Sequence, residues 1–62
     1  MLEERIPPQS IDAEQAVLGA VLIENDAINI VSEFIAANDF YREAHRVIFS
    51  IMMNLYHEHE PI

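Results

Sequence analysis

The stretch Arg5-Ile6-Pro7-Pro8-Gln9-Ser10-Ile11-Asp12-Ala13-Glu14-Gln15-Ala16-Val17-Leu18-Gly19-Ala20-Val21-Leu22 decides how this chain begins to fold. The paired prolines hold the backbone extended, because each ring fixes φ and pushes the preceding residue out of the α region. Ser10 then stands where a side-chain oxygen can accept from the free N–H groups of a helix start. Behind it, Ile11, Leu18, Val21 and Leu22 share one face at helical spacing, with Val17 beside them. An extended arm over residues 1–9 is therefore expected, followed by a helix to about Ile23. Asp12 and Glu14 lie near its first turn, where negative charge meets the positive end of the helix dipole. Asp12 and Gln15 offer an alternative capping pair, which leaves the start open by a residue or two.

Working outward, Glu24-Asn25-Asp26 breaks the pattern, and Asn25 or Asp26 can cap a second helix from about Ala27 to Ala36. Ile28, Val31 and Ile35 mark its buried stripe, with Ile30 and Phe34 adding apolar width. It is rich in β-branched residues, so packing must hold it. Ala37-Asn38-Asp39-Phe40 reads as a turn, and a third helix follows from about Tyr41 or Arg42 to His57. That helix carries Ala44, Ile48, Ile51, Met52 and Leu55 on one face, with Val47, Phe49, Met53 and Tyr56 around the rest. A helix this apolar is buried all round or faces a partner. Pro61 stops the regular structure. The fold class is all-α, one small orthogonal helical domain over residues 10–62 with three helices visible.

Composition narrows the possible partners. The chain has 62 residues, 52% of them hydrophobic, and three short helices offer too small an interior to hide them all. Some of that surface is expected to be covered by another chain or by further sequence. There is no cysteine, hence no disulfide framework and no thiolate metal site. Eleven acidic residues stand against three basic ones, with no lysine, for a net charge of -8. Nucleic-acid affinity comes largely from Lys and Arg on phosphates, so direct DNA binding is not expected, nor is docking on an anionic membrane. Protein partners are expected, basic ones foremost. The N-terminus lacks the features of a signal peptide, and Ala16 to Ile23 is far short of a membrane span, so a cytoplasmic location is the default.

Several residues invite a sharper reading beside a plainer one. Gly19 costs roughly 1 kcal/mol against alanine inside a helix. Flanked by Ala16 and Ala20, it is read as a site of close helix packing rather than a tolerated defect. Arg42 and Arg46, four apart, receive an acidic partner or, in so acidic a chain, pair with Asp39, Glu43 or a neighbouring helix. Histidine is the side chain suited to switch charge near neutral pH, but His45 is read as a partly buried residue bonded to backbone of the second helix or the turn. Ser10, Ser32 and Ser50 lie in no nucleophile motif, so no catalytic residue is assigned. His57 and His59, two apart, diverge on a helix and lack the four-residue spacing of a zinc helix; a solvated helix end is preferred to a metal site. Phe49, Met52, Met53 and Tyr56 form an adaptable surface of the kind interfaces use, or ordinary core. No phosphate-binding loop is present, so no cofactor is assigned.

The opening stretch resembles the N-terminal domain of bacterial replicative DNA helicases of the DnaB family. Pro7, Pro8, Ser10, Ala13, Glu14, Val17, Leu18, Gly19 and Leu22 stand at the places of that family's first motif. A second motif, Asp39-Phe40-Tyr41, then His45 and Val47-Ile48-Phe49, follows at compatible spacing. The ending His59-Glu60-Pro61-Ile62 matches the point where the family continues with a further run of helices. The resemblance implies the first half of a collar domain from a ring-forming enzyme that unwinds DNA with ATP and Mg. Its partners would be primase, other helicase subunits and a loader. The catalytic domain would lie elsewhere, leaving this piece inert alone and prone to self-association through the third helix. The alternative is a free-standing acidic helical interaction module, a dimerising adaptor or inhibitor.

Overall fold

The computed structural model describes residues 10–62, so the expected arm over 1–9, with Pro7 and Pro8, lies outside the described residues. Three α-helices follow in order: α1 (Ile11–Ile23), α2 (Ala27–Phe34) and α3 (Glu43–His57), with a single 3-10 turn (Ala37–Asp39) before α3. The all-α class stands.

Ser10 occupies the N-cap of α1 in extended conformation, and its carbonyl accepts the Glu14 N–H at 3.1 Å. Its hydroxyl makes no cap hydrogen bond, so the expected side-chain cap is corrected. A reciprocal capping box needs a Glu or Gln at the third helical position, which is Ala13 here. The nearby carboxylate, Glu14, is turned inward instead. At the other end of α1, Asn25 donates from Nδ2 to the Val21 carbonyl at 2.9 Å. Asn25 thus closes α1 rather than opening α2, whose N-cap Asp26 makes no side-chain cap bond either. The Asn25 Oδ1 also accepts the backbone N–H of Ile62 at 2.8 Å, bringing residue 62 back to the α1–α2 corner.

The core draws on every element. Leu18 and Val21 come from α1, Ile28 from α2, Phe40 from the turn, and Phe49 and Met52 from α3. Phe49, Ile28 and Val21 are fully buried, each contributing about 1.5–3 kcal/mol against exposure. The rings of Phe40 and Phe49 lie 5.2 Å apart in a tilted arrangement, an attractive geometry for two aromatics.

This core corrects the expected inward face of α3, keeps the Ile28, Val31 and Ile35 stripe of α2, and narrows the faces of α2 and α1. On α3 the inward stripe is His45, Phe49 and Met52, whereas Ala44, Ile48 and Ile51 face solvent. The sequence pattern counted only apolar residues; a polar His45 heads the true stripe and rotates the buried face by about one position. On α2, Ile28 is buried with Val31 and Ile35 packed beside it, but Ile30 and Phe34 are exposed. Likewise Leu22 on α1 is exposed while Leu18 and Val21 are not.

The end of α3 is closed by backbone alone. His59 adopts a left-handed conformation (φ 61), its N–H bonds the Tyr56 carbonyl at 3.1 Å, and the Glu60 N–H reaches back to Leu55 at 2.8 Å. This is the Schellman arrangement, in which a residue just past the helix takes the left-handed conformation usually held by glycine.

Candidate functional site

The two conspicuous sequence segments meet at one carboxylate. Glu14, from the middle of the first, is buried, and its Oε1 lies 2.7 Å from Nδ1 of His45 in the second. Oε2 accepts the backbone N–H of Tyr41 at 2.5 Å, and Oε1 that of Arg42 at 3.4 Å. Arg42 is the N-cap of α3, so the carboxylate sits beside the end of that helix where the dipole favours negative charge. Burial opposes ionisation of Glu14. The bonds from His45, Tyr41 and Arg42 outweigh that cost and hold its carboxyl below the ordinary value. His45 is therefore bonded to a side chain of α1, not to backbone of α2 or the turn as expected.

The residues around this carboxylate each fix part of the turn. The Asp39 carboxylate accepts the Ala36 N–H at 2.8 Å, while the Asp39 N–H bonds the Ala36 carbonyl at 2.9 Å. Phe40 enters the core and stands edge-on to His45 with ring centroids 6.3 Å apart. Tyr41 gives its N–H to Glu14 and leaves its ring exposed. Arg46 donates from Nη1 to the carbonyls of Phe40 and Tyr41 at 2.9 and 3.1 Å. Its partners are thus backbone oxygens rather than the expected carboxylates. With three N–H donors already on it, Glu14 acts as a clamp between α1 and α3. The sequence places Glu14 as a first-turn charge and in the first family motif, not as a buried group. The missed signal was its spacing: Glu14, Leu18 and Val21 form one i, i+4, i+7 stripe.

The four α3 residues read as an adaptable surface or as ordinary core fall on the core side. Phe49 and Met52 are core, and Met53 and Tyr56 pack against it. The Tyr56 hydroxyl bonds the Asn29 side chain, tying α3 to α2. The apolar surface that α3 presents to solvent is instead Val47, Ile48 and Ile51. Gly19 has no close neighbour: a Cβ placed there meets nothing within 4 Å, so the expected tight approach is absent among the described residues. His59 serves the left-handed cap of α3, and no group of three metal-ligating side chains occurs among the described residues. Nor is any described helix long and apolar enough to cross a membrane.

Comparison with known proteins sets this architecture in context. Residues 6–62 match the family described as DnaB-like helicase N terminal domain. The chain is 50% identical over 62 residues to the replicative DNA helicase DnaB of Geobacillus stearothermophilus, covering 100% of this chain and 14% of that protein. It is 44% identical over 62 residues to the replicative DNA helicase DnaC of Bacillus subtilis, again covering 100% of this chain and 14% of the relative. Against the DnaB of Mycobacterium leprae it is 46% identical over 57 residues, 92% of this chain and 9% of the relative. The chain thus spans about one-seventh or less of the length of these curated relatives. No solved structure matches it significantly.

Proposed function

The chain belongs to the family of DnaB-like helicase N-terminal domains, and from that premise we propose that it is the leading part of a collar domain serving ring assembly and primase contact. Residues 10–62 supply the packed unit. The observation that carries this reading is the exposed row Val47, Ile48 and Ile51 on α3. A solvent-facing apolar row on a helix already anchored to its core by Phe49 and Met52 suits contact with another polypeptide.

In this reading the segment contributes surface and no catalysis. The nucleotide and magnesium of a helicase have no fit here. The chain has no lysine, and its one glycine sits inside α1 rather than in a phosphate-cradling loop. A net charge of -8 keeps this part off DNA and favours protein partners, including a loader, in the cytoplasm.

The test grafts this chain in place of the matching segment of the Geobacillus helicase, with and without Ile48→Asp and Ile51→Asp. Sedimentation reads ring assembly, and stimulation of unwinding by primase reads the contact. The expected result is an active chimera in which the double variant loses assembly, primase response or both. A double variant indistinguishable from the unmodified chimera overturns the reading.

A further inference from the structure

An open cleft of about 530 Å³ lies between the C-terminal end of α1 and α2, lined by Ala20, Ile23, Glu24, Asp26, Ala27 and Ile30. Its floor is apolar, and the exposed side chains Ile23 and Ile30 belong to it. Phe34 lies four residues beyond Ile30 on the same face of α2 and extends that surface, with a relative exposure of 77%. The two ionisable groups in the lining, Glu24 and Asp26, are both carboxylates. The described arginines, Arg42 and Arg46, stand at the start of α3, where the Arg42 N–H reaches Glu14 near the first turn of α1 rather than its end. From this combination we infer that the α1–α2 cleft is a docking site for a basic amphipathic helix on a partner protein.

The geometry defines the ligand. A helix laid in the cleft places one apolar side chain per turn against Ile23, Ala27 and Ile30, the mode in which i, i+3, i+4 and i+7 residues anchor a helix in a groove. Lysines or arginines on its flanks meet Glu24 and Asp26 at the rim, where opposite charge raises the association rate and fixes orientation. A second copy of this chain is a poor occupant, since each copy brings a net charge of -8. The cleft is separate from the Val47, Ile48 and Ile51 row, and the inference stands independently of the collar reading.

The test uses the 62-residue chain and two designed helices that share a leucine face, one flanked by lysines and one by glutamates. The lysine helix is expected to shift backbone resonances of Ala20, Ile23, Ala27 and Ile30, and the glutamate helix to leave them unmoved. Ile30→Ser, or Glu24→Lys with Asp26→Lys, should weaken the lysine helix by about tenfold or more. Each variant is checked for an unchanged fold through the Phe40 and Phe49 ring resonances. Shifts centred on Val47, Ile48 and Ile51, equal binding of both helices, or unchanged affinity in both variants overturns the proposal. So does a cleft already closed by a second copy, or closed by its own polypeptide in a longer form of the protein.

Discussion

Glu14 and His45 hold equivalent places on their two helices. Each heads an inward stripe at i, i+4, i+7 spacing, Glu14-Leu18-Val21 on α1 and His45-Phe49-Met52 on α3, and the two heads meet at 2.7 Å. The polar pair therefore sets how the two stripes align, because it is joined to the core below it by continuous helical faces. A buried pair of this kind gives directionality that apolar contacts lack.

Acid should reveal the pair. The folded state holds the Glu14 carboxyl below its ordinary value of 4.5, so the contribution of this group is fully present above the unfolded pKa. It is lost as pH falls through the lower, folded value. Circular dichroism against pH should show wild type losing helix below about pH 4.5. Glu14→Gln should be less stable at neutral pH and should lack that part of the acid limb. An unchanged acid limb in Glu14→Gln refutes the assignment.

Gly19→Ala should stabilise this chain by about 1 kcal/mol, since the helix gains propensity and the new methyl meets nothing. Thermal unfolding of the two forms measures it. In an assembly where another backbone approaches Gly19, the same change should weaken association, which separates the two roles of the position.

Replacing His59 by glycine should raise stability by about 1 kcal/mol, because φ 61 is strained for a residue with a Cβ. The urea midpoint reports it. A neutral or destabilising result would mean that the α3 terminus is held in some other way.

The corrected face of α3 is open to a paired substitution. Phe49→Ala removes a fully buried ring and should cost about 3–5 kcal/mol, enough to unfold so small a chain. Ile51→Ser, on the exposed side, should change stability by about 0.5 kcal/mol or less. Similar losses from both would restore the face first expected from the sequence.

The Val47, Ile48 and Ile51 row should drive reversible self-association of this chain at high concentration. Added salt should strengthen it by screening the mutual repulsion of chains carrying a net charge of -8. Sedimentation equilibrium of wild type against Ile48→Asp with Ile51→Asp gives the answer, and a clean monomer in both removes the claim.

Helix number, order and approximate bounds were legible in the sequence, because Ser10, Glu24-Asn25-Asp26 and Asp39-Phe40 interrupt otherwise periodic runs. Which face turns inward was not. Hydrophobic periodicity leaves Glu14 and His45 out of the inward stripes; His45 was expected partly buried against backbone, and its bond to Glu14, with the Tyr41 and Arg42 N–H groups, takes both inside. Ser10 was correctly placed at a helix start, but position alone does not say whether a hydroxyl will bond. Gly19 misled for a related reason, since small side chains permit an approach without causing one. Asn25 closes α1 through Val21, four residues back, where helix-start spacing pointed forward, and its second partner, Ile62, lies 37 residues away, beyond any local pattern.

That distant partner has a mechanical consequence. With its N–H held by Asn25, Ile62 is anchored at the α1–α2 corner. A pull applied at residue 62 therefore loads the Asn25 clasp before it can unwind α3 turn by turn. The first contacts to yield under tension are that side-chain grip and the packing of Ile62 against the core, ahead of the Leu55–Glu60 closure of α3.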